Sequence, residues 1–360
     1  MDSSKPLVTV IGASEYVGAW LVAKLLQTGQ YRVRGTLKNP RKLEYLRGRL
    51  KDLCESEYEN LELVLADLLD YTSLEKAVDG ASVVFMMAYG AVKVKMKDFE
   101  GTALKVMVEG TADLLNACDG AGVQKVIIKS DSTALIDFRK GSGTYGHDDI
   151  SEEHSKCTRF QIARIRQEKV VKSFVEELDQ RKERKFDVVL MNPENESISG
   201  APLVPEIKEN FLGILNLILG GKMPYLPALY HNIIDVQDVA QAHINAIEKG
   251  KHMEKYPLCC ETIKAKEMVK NIIIPNFRPP IYQIGDKEMS KCLIWIVSFC
   301  IPEGKALMLG WNKKFELDGE YSTKELGLKE CISAYDSVLE TCNYLVQNNL
   351  LGKAPGQILV

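Results

Sequence analysis

The stretch IGASEYVGAW, residues 11–20, decides how this chain folds. It joins the apolar run Leu7–Ile11 to a pattern typical of an amphipathic helix. Gly12 and Gly18 stand where a G-x-x-G-x-x-G loop needs its first and third glycines, and such a loop holds phosphate on the amides of a helix start. The middle position, where the backbone has to approach a pyrophosphate, is Glu15. The stretch therefore predicts the first strand-to-helix turn of a nucleotide-binding fold, with a carboxylate where the phosphate would lie.

Short β-like runs and longer amphipathic runs alternate over the first half of the chain. Strands separated by helices in this way are typical of a parallel sheet with helices on both faces. The pattern predicts an α/β fold, a Rossmann-type doubly wound parallel sheet. The predicted strands are 7–11, 31–37, 61–68, 81–88, 125–131 and 186–192, and the predicted helices are 16–27, 40–50, 72–78, 102–122 and 159–178.

The alternation breaks after Asn192, where the loop-rich segment PENESISGAPLVPE follows. We therefore predict two domains and a tail. Residues 1–192 form a Rossmann dinucleotide-binding-like domain, to which some later segments return. Residues 193–350 form a smaller C-terminal substrate-type domain, and residues 351–360 form a mobile tail.

The composition argues against several classes of function. The chain has 360 residues, of which 46% are hydrophobic and 26% charged, and its net charge is −3. It is long enough for a sizeable core, and its charge favours neither nucleic acid nor an anionic membrane as a partner. The nine cysteines are scattered, which indicates free thiols in a reducing compartment. The five histidines are dispersed, so we predict no metal site and a structural role for His243.

The sequence also predicts a cytoplasmic protein without a membrane span. The first residues, MDSSKPLVTV, lack the basic and apolar regions of a secretory signal. The most apolar stretch, CLIWIVSFCI at 292–301, is too short for a bilayer crossing, which needs roughly 20 residues. We expect a buried helix there, rather than a helix that lies at an interface or docks a partner.

Ordered blocks over most of the chain resemble one known family. The opening VIGASEYVGAWLVAKLLQTGQYRVRGTLKNPRKLEYL is similar to that of the extended short-chain dehydrogenases/reductases, which are NAD-dependent epimerase/dehydratase-like proteins. The likeness continues in LVLADLLDYTSLEKAVDGASVVF, VEGTADLLNAC, KVIIKSDSTAL, FDVVLMNPENESISGAPLVPE and HNIIDVQDVAQAHINAIEKG. The nearest branch is that of dihydroflavonol reductases and cinnamoyl-CoA reductases. The resemblance implies NAD(P)H binding in the first domain and reduction of a carbonyl substrate held under the second.

The resemblance places three catalytic positions on altered residues. The family uses a tyrosine as general acid and a lysine four residues later, which lowers the tyrosine pKa and holds the ribose. In FQIARIRQEK these positions fall on Phe160 and Arg164. The family serine that positions the carbonyl falls on Asp131, or on Ser130 or Ser132 if the alignment shifts by one residue. Phenylalanine has no proton to give, and a carboxylate has the wrong sign to stabilise a developing alkoxide.

Two other tyrosines are candidates for the general acid. Tyr89 has a lysine four residues later but lies just past the fourth strand, and Tyr145 lies in a loop and lacks the lysine. We interpret both as ordinary surface tyrosines.

The resemblance also implies a set of cofactor positions. Lys38, with Lys42 nearby, stands where the family has an arginine for the adenosine 2′-phosphate, so NADP is favoured over NAD if a dinucleotide binds at all. Lys38 and Lys42 also fit a solvated basic face. Glu15 opposes binding through charge and crowding. The full set of cofactor positions is Gly12, Ser14, Glu15, Tyr16, Val17, Lys38, Asp67, Leu68 and Ala88.

The tyrosine, lysine, serine and second-glycine positions are four separate requirements, and all four are altered. We therefore expect a reductase-like protein that has lost catalysis and acts as a scaffold, subunit or sensor, with a protein partner or as a homodimer. Two alternatives stay open. One is an active NADPH-dependent carbonyl reductase that uses atypical residues, and the other is a binding module for a small metabolite.

Overall fold

A seven-stranded parallel sheet forms the centre of the computed structural model, which describes residues 4–88, 104–204, 211–277, 282, 284–297 and 308–351. The strands of the described residues are β1 (Leu7–Ile11), β2 (Arg32–Leu37), β3 (Leu61–Leu65), β4 (Val83–Met86), β5 (Lys125–Lys129), β6 (Gly143–Tyr145), β7 (Asp187–Pro193), β8 (Ile198–Ser199), β9 (Tyr225–Leu226), β10 (Tyr230–Asp235), β11 (Lys255–Leu258), β12 (Glu261–Lys264), β13 (Lys287–Glu288) and β14 (Phe315–Leu317).

The helices lie on both faces of this sheet and around a second group of strands. They are α1 (Tyr16–Gln27), α2 (Arg41–Leu53), α3 (Tyr71–Val78), α4 (Lys105–Ala121), α5 (Arg159–Arg181), α6 (Phe211–Leu219), α7 (Val236–Lys249), α8 (Ala265–Met268), α9 (Ile274–Asn276), α10 (Lys291–Val297), α11 (Gly319–Leu326) and α12 (Ala334–Gln347), and a π-helical turn, Val269–Ile273, joins α8 to α9.

The strand order in the large sheet is β3-β2-β1-β4-β5-β7-β11, and every pairing is parallel. The order reverses between β1 and β4, which is the switch point where ligands bind in doubly wound sheets. The predicted Rossmann-type fold is therefore confirmed, and the turn after β1 lies at the switch point.

Alternation along the strands explains the two apolar layers. In β5, Ile127 packs in the cluster that includes α1 and α7, whereas Val126 and Ile128 pack in the cluster that includes α4 and α5. Each strand is covered on both faces, so near-continuous apolar runs are expected. The predicted bounds of β1 and α1 match the observed ones, and α4 ends before Gly122, whose φ of +70° closes the helix.

A second group of elements follows Asn192, with a three-stranded sheet of order β12-β10-β8. Its apolar cluster brings together residues of α6, the π-helical turn and α12. Strand β11, at 255–258, leaves this region and pairs with β7 at the edge of the large sheet. The domain boundary at residue 192 stays a prediction, and residues 352–360 lie outside the described residues.

The expectation of a buried helix at 292–301 is wrong for two of its largest side chains. Helix α10 buries Ile294, but Trp295 and Ile296 are 57% and 56% exposed. A run that is apolar on every side carries no periodicity, so the sequence does not tell which face will dock. Residues 298–301 lie outside the described residues. Within the described ranges no helix is both long and apolar enough to cross a bilayer.

Buried polar contacts join α12 to the first helix of the sheet domain. The Tyr16 hydroxyl donates to Gly200 O at 2.6 Å, and Gly200 N donates to Thr341 Oγ1 at 2.7 Å. The Ser337 hydroxyl donates to Asp235 Oδ2, while Asp235 Oδ1 caps α7. Burial raises the pKa of Asp235, although the hydrogen bonds from Ser337 and the Gln237 amide oppose the shift.

The raised pKa of Asp235 predicts an unusual pH dependence of stability. The folded state holds the proton on Asp235 more tightly than the unfolded state does. The resulting contribution to the free energy of unfolding is therefore full below the unfolded pKa of about 3.9 and is lost as pH rises through the folded pKa. Asp235→Asn should therefore lose most stability at acidic pH, and its deficit should shrink towards neutral pH. Urea unfolding at about pH 4.5 and about pH 7.5 checks this, and a deficit that grows with pH would contradict it.

Candidate functional site

The turn after β1 is built around Gly12. Its φ is +91°, its amide donates to Thr36 Oγ1 at 3.1 Å, and a Cβ there would lie 2.7 Å from Ala88 N. A Cβ on Gly18 would lie 2.1 Å from Gly12 O. The first and third glycines of the loop are therefore required by the fold itself, with or without a ligand.

Glu15 occupies the N-cap position of α1 in an extended conformation, with φ −75° and ψ 159°. Any L-amino acid adopts these angles, so the backbone does not need glycine here. The Glu15 amide donates to Gly12 O at 3.0 Å, and the side chain is half-buried. The first amides of a helix have no partner within it, which leaves the start of α1, Tyr16 and Val17, able to receive a phosphate. Glu15 thus places a carboxylate at the family's second-glycine position, immediately before those amides in the chain.

The positions implied for the adenosine end of a dinucleotide contact each other. Lys38 Nζ lies 2.7 Å from Asp67 Oδ2, and the Leu69 amide donates to Asp67 Oδ1 at 3.1 Å. Burial works to raise the pKa of Asp67, but the hydrogen bonds from Lys38 and Leu69 outweigh it, and the pKa is lowered. Leu68 is buried against Gly110 of α4. A bound adenosine 2′-phosphate would have to compete with Asp67 for Lys38.

The remaining implied positions are Ser14, Lys42 and Ala88. Ser14 and Lys42 are buried, and Ala88 packs against the turn at Gly12. Lys42 is therefore not part of a solvated basic face, whereas Lys38 is exposed and fits that description better.

Phe160 and Arg164 lie one turn apart on α5 and touch. The Arg164 guanidinium carbon is 5.3 Å from the centre of the Phe160 ring. Arg164 is fully buried, and its Nη1 donates to Gln167 Oε1 at 2.7 Å and to Lys129 O at 3.4 Å. The guanidinium thus has a packed and hydrogen-bonded place within the protein.

Asp131 is also held by its neighbours. Its Oδ1 accepts from the Thr133 amide at 2.8 Å, and its Oδ2 accepts from Asn195 N at 3.1 Å and Asn195 Nδ2 at 2.5 Å. The side chain is only 2% exposed. The carboxylate therefore stabilises the turn after β5 and joins it to the start of the segment after β7.

The two alternative serines, Ser130 and Ser132, differ in their hydrogen bonding. The Ser130 hydroxyl donates to Glu168 Oε1 at 2.5 Å, and the same oxygen accepts from Asn192 Nδ2 at 2.8 Å. Lys255 Nζ lies 2.8 Å from Glu168 Oε2. Within the described part of the chain, the buried hydroxyl of Ser132 has no hydrogen-bond partner.

Sequence reasoning missed a buried polar network at the ends of β5 and β7, which we define as Lys129, Ser130, Asp131, Glu168, Asn192, Asn195 and Lys255. Lys129 Nζ donates to Asn195 Oδ1, so the Asn195 amide bridges an ammonium and a carboxylate. A signal was available in KVIIK, where Lys129 ends a strand whose three middle residues are apolar. A buried lysine there requires a polar partner.

The Tyr145 hydroxyl is hydrogen-bonded to main-chain oxygens. It donates to Gly141 O at 3.0 Å, within reach of Asp137 O at 3.2 Å, and the Tyr145 ring packs near Phe315. The interpretation of Tyr145 as a surface residue is wrong, because β6 pairs with β14 and buries it. Tyr89 lies outside the described residues. His243 is fully buried and bonded to Val239 O at 2.7 Å, and burial lowers its pKa to about 4.

Removing the bridging amide should destabilise the fold. Asn195→Ala leaves Asp131 and Lys129 buried without their shared partner, so we expect a loss of about 3 kcal/mol in the free energy of unfolding. Asn116→Ala, at an exposed position on α4, is the matched control and should stay within about 0.5 kcal/mol of the unmodified protein. Urea unfolding measures both, and equal stability of the two variants would show that the network is not stabilising.

Several known proteins that are similar to this chain are reductases. The 3-beta hydroxysteroid dehydrogenase/isomerase family matches residues 9–181. Cinnamoyl-CoA reductase 1 of Petunia hybrida is 30% identical over 285 residues, which cover 79% of this chain and 80% of that protein. Dihydroflavonol 4-reductase of Callistephus chinensis is 24% identical over 367 residues, which cover 99% of this chain and 95% of that protein.

A solved structure shares the fold. Gre2 from Candida albicans, in complex with NADPH, has a TM-score of 0.76 and 22% identity and covers 95% of this chain and 99% of its own. Together with the sheet order and the turn at Gly12, these similarities identify the family. The chain belongs to the extended short-chain dehydrogenases/reductases, in the branch of the cinnamoyl-CoA and dihydroflavonol reductases, with their NAD(P)-binding Rossmann-type fold.

Proposed function

We propose that this chain is a non-catalytic member of the reductase family and acts as a scaffold, an assembly subunit or a ligand sensor. The observation that carries the proposal is the contact between Phe160 and Arg164 at the family's catalytic positions on α5. Phe160 has no proton to donate, and its ring packs against the guanidinium of Arg164. General acid catalysis contributes typically about 10²–10⁴-fold to a rate, so this single position removes most of the expected activity.

Arg164 supports the proposal independently. The family lysine acts from this position on both the tyrosine and the cofactor ribose, whereas the Arg164 guanidinium is buried and hydrogen-bonded to Gln167. A planar guanidinium with a very high pKa is a poor substitute for a lysine ammonium. Restoring the lysine role would require Arg164 to leave its present contacts.

Asp131 adds an electrostatic argument. Stabilising the transition state of carbonyl reduction requires donors aimed at the oxygen on which charge develops. A carboxylate at the serine position repels that charge, and its oxygens already accept hydrogen bonds from Thr133 and Asn195. Asp131 is thus suited to holding the turn together and unsuited to holding a substrate carbonyl.

We further propose that NADP(H) binds weakly if it binds. The turn at Gly12 keeps the strand-to-helix geometry, and Lys38 favours a 2′-phosphate over a free 2′-hydroxyl. Against this, Glu15 stands at the family's second-glycine position, where a side chain adds charge and bulk, and Asp67 already engages Lys38. An NADP-sensing role is consistent with this balance, because a sensor needs binding without turnover.

Two alternatives are retained. The preserved Gly12 turn and the reductase names of the relatives favour an active NADPH-dependent carbonyl reductase that uses atypical residues. The buried Ser132 hydroxyl, which lacks a partner within the described residues, favours a binding module for a small metabolite. We expect the protein to work in the cytoplasm, with a protein partner or as a homodimer.

The test combines binding, turnover and assembly on the unmodified full-length protein. NADPH titration by intrinsic fluorescence should show weak binding, and NADPH oxidation with hydroxycinnamoyl-CoA thioesters, aldehydes and ketones should not exceed the rate without substrate. Co-purification and size-exclusion chromatography then test for a partner or a dimer. Sustained turnover at about 1 s⁻¹ or faster would overturn the proposal in favour of the active reductase.

A further inference from the structure

A pair of thiols lies where the large sheet meets the second group of strands. Cys260 stands between β11 and β12, and Cys331 stands between α11 and α12. The Cys260 thiol donates to Ile332 O at 3.4 Å, across 72 residues of sequence, which brings it beside Cys331. Both cysteines are free and only partly buried, so small solutes reach them.

The local structure holds the two thiols together. Cys260 N donates to Ile233 O at 2.8 Å, which fixes Cys260 on β10 of the small sheet. On the other side, Ile332 N donates to Asp238 Oδ2 at 2.8 Å, which fixes the Cys331 segment on α7. Two anchored backbones therefore hold the two thiols within hydrogen-bond reach of each other.

We propose that Cys260 and Cys331 form a reversible disulfide when the protein meets hydrogen peroxide. In the first step the Cys331 thiolate attacks the peroxide, takes one oxygen as a sulfenic acid and releases hydroxide, which is protonated to water. In the second step the Cys260 sulfur attacks that sulfenic acid, the S–S bond forms, and a second water leaves. The two thiols lose two hydrogen atoms, and the peroxide is reduced to two molecules of water.

The order of the two steps follows from the surroundings of the thiols. The hydrogen bond from Cys260 lowers the pKa of Cys331, although burial and Asp238 oppose the shift. The same interaction raises the pKa of Cys260. Because the thiolate is the nucleophile, Cys331 attacks first and Cys260 resolves. The neighbouring Cys259 is buried, and burial raises its pKa to about 12, so it is a poor competitor.

The test uses the reduced full-length protein and hydrogen peroxide, followed by non-reducing peptide mapping. We expect two of the nine thiols to be lost, a cross-link between the peptides of Cys260 and Cys331, and full recovery with dithiothreitol. Cys331→Ser should abolish the cross-link, and Cys260→Ser should trap the sulfenic acid on Cys331, detected by a dimedone adduct. Cys292→Ser, at an exposed position outside the pair, is the control and should cross-link like the unmodified protein.

Three results would overturn the proposal. They are loss of thiols with no cross-link, a cross-link through Cys259, and sulfinic acid on Cys331 while Cys260 stays reduced. A thermal melt of the oxidised protein gives a further check that does not depend on a variant. A cross-link between Cys260 and Cys331 closes a long loop and restricts the unfolded chain, so oxidation should raise the melting temperature, and dithiothreitol should reverse the rise.

Discussion

Changing Phe160 to tyrosine should by itself leave carbonyl reduction below detection. The new hydroxyl would lie beside the Arg164 guanidinium without a lysine, and the family's serine position would still be occupied by Asp131. Groups that act as a unit are not additive, so one restored member gains little. The combined variant Phe160→Tyr, Arg164→Lys and Asp131→Ser should exceed the single variant by at least about 100-fold, the lower end of what a general acid supplies. The measurement is NADPH oxidation with an aldehyde substrate at saturating cofactor.

Two controls make this experiment interpretable. Phe174→Tyr places a hydroxyl on the same helix outside the family position and should gain nothing. Circular dichroism and urea unfolding should accompany the combined variant, because Asp131→Ser removes the partner of Asn195 and destabilises the buried polar network. A folded combined variant that stays inactive at saturating cofactor would show that Phe160, Arg164 and Asp131 are not what blocks reduction. High activity of Phe160→Tyr alone would show that Arg164 and Asp131 are tolerated.

Glu15→Gly should tighten NADP(H) binding by at least about tenfold. Two unit charges about 4 Å apart repel by roughly 4 kcal/mol at an effective dielectric near 20, and relief of half of this exceeds a factor of about ten. Glycine at the N-cap is tolerated with a cost of only a few tenths of a kcal/mol, so the fold should persist. Calorimetric titration of both proteins at matched salt measures the difference.

Glu15→Gln separates the two causes. Glutamine keeps the size of the side chain and removes its charge, so it should recover the electrostatic part of the affinity and leave the crowding. Raising the ionic strength should reduce the difference in NADP(H) affinity between the unmodified protein and Glu15→Gln, because salt screens charge. The difference in affinity between Glu15→Gln and Glu15→Gly should stay unchanged. Equal, tight binding by all three proteins would show that Glu15 is harmless, and the non-catalytic proposal would then rest on α5 and Asp131.

Local signals made the sheet domain predictable. The glycine turn at Gly12 and the apolar periodicity on either side depend only on neighbouring residues, which is why β1 and α1 appear at their predicted bounds. The same holds for the end of α4 at Gly122. The family resemblance then supplied the positions of Phe160, Arg164 and Asp131 along the chain, though not their contacts.

The features that the sequence did not predict depend on distant partners. Asn195 meets Asp131 across 64 residues, and Lys38 meets Asp67 only because β2 and β3 end side by side. Neither contact has a signature in local composition. The exposure of Trp295 was unpredictable for a different reason. Its segment is apolar without periodicity, so the sequence does not indicate which of its side chains pack against other elements.

The pairing of β11 with β7 has a consequence for how the chain is made. The edge of the large sheet is completed by residues 255–258, which leave the ribosome after most of the second group of strands. Until then β7 is an open edge strand, with unpaired main-chain groups that invite pairing with other chains. Chains interrupted after residue 192 should therefore aggregate, and a nascent chain would depend on chaperones for as long as synthesis takes to pass residue 258.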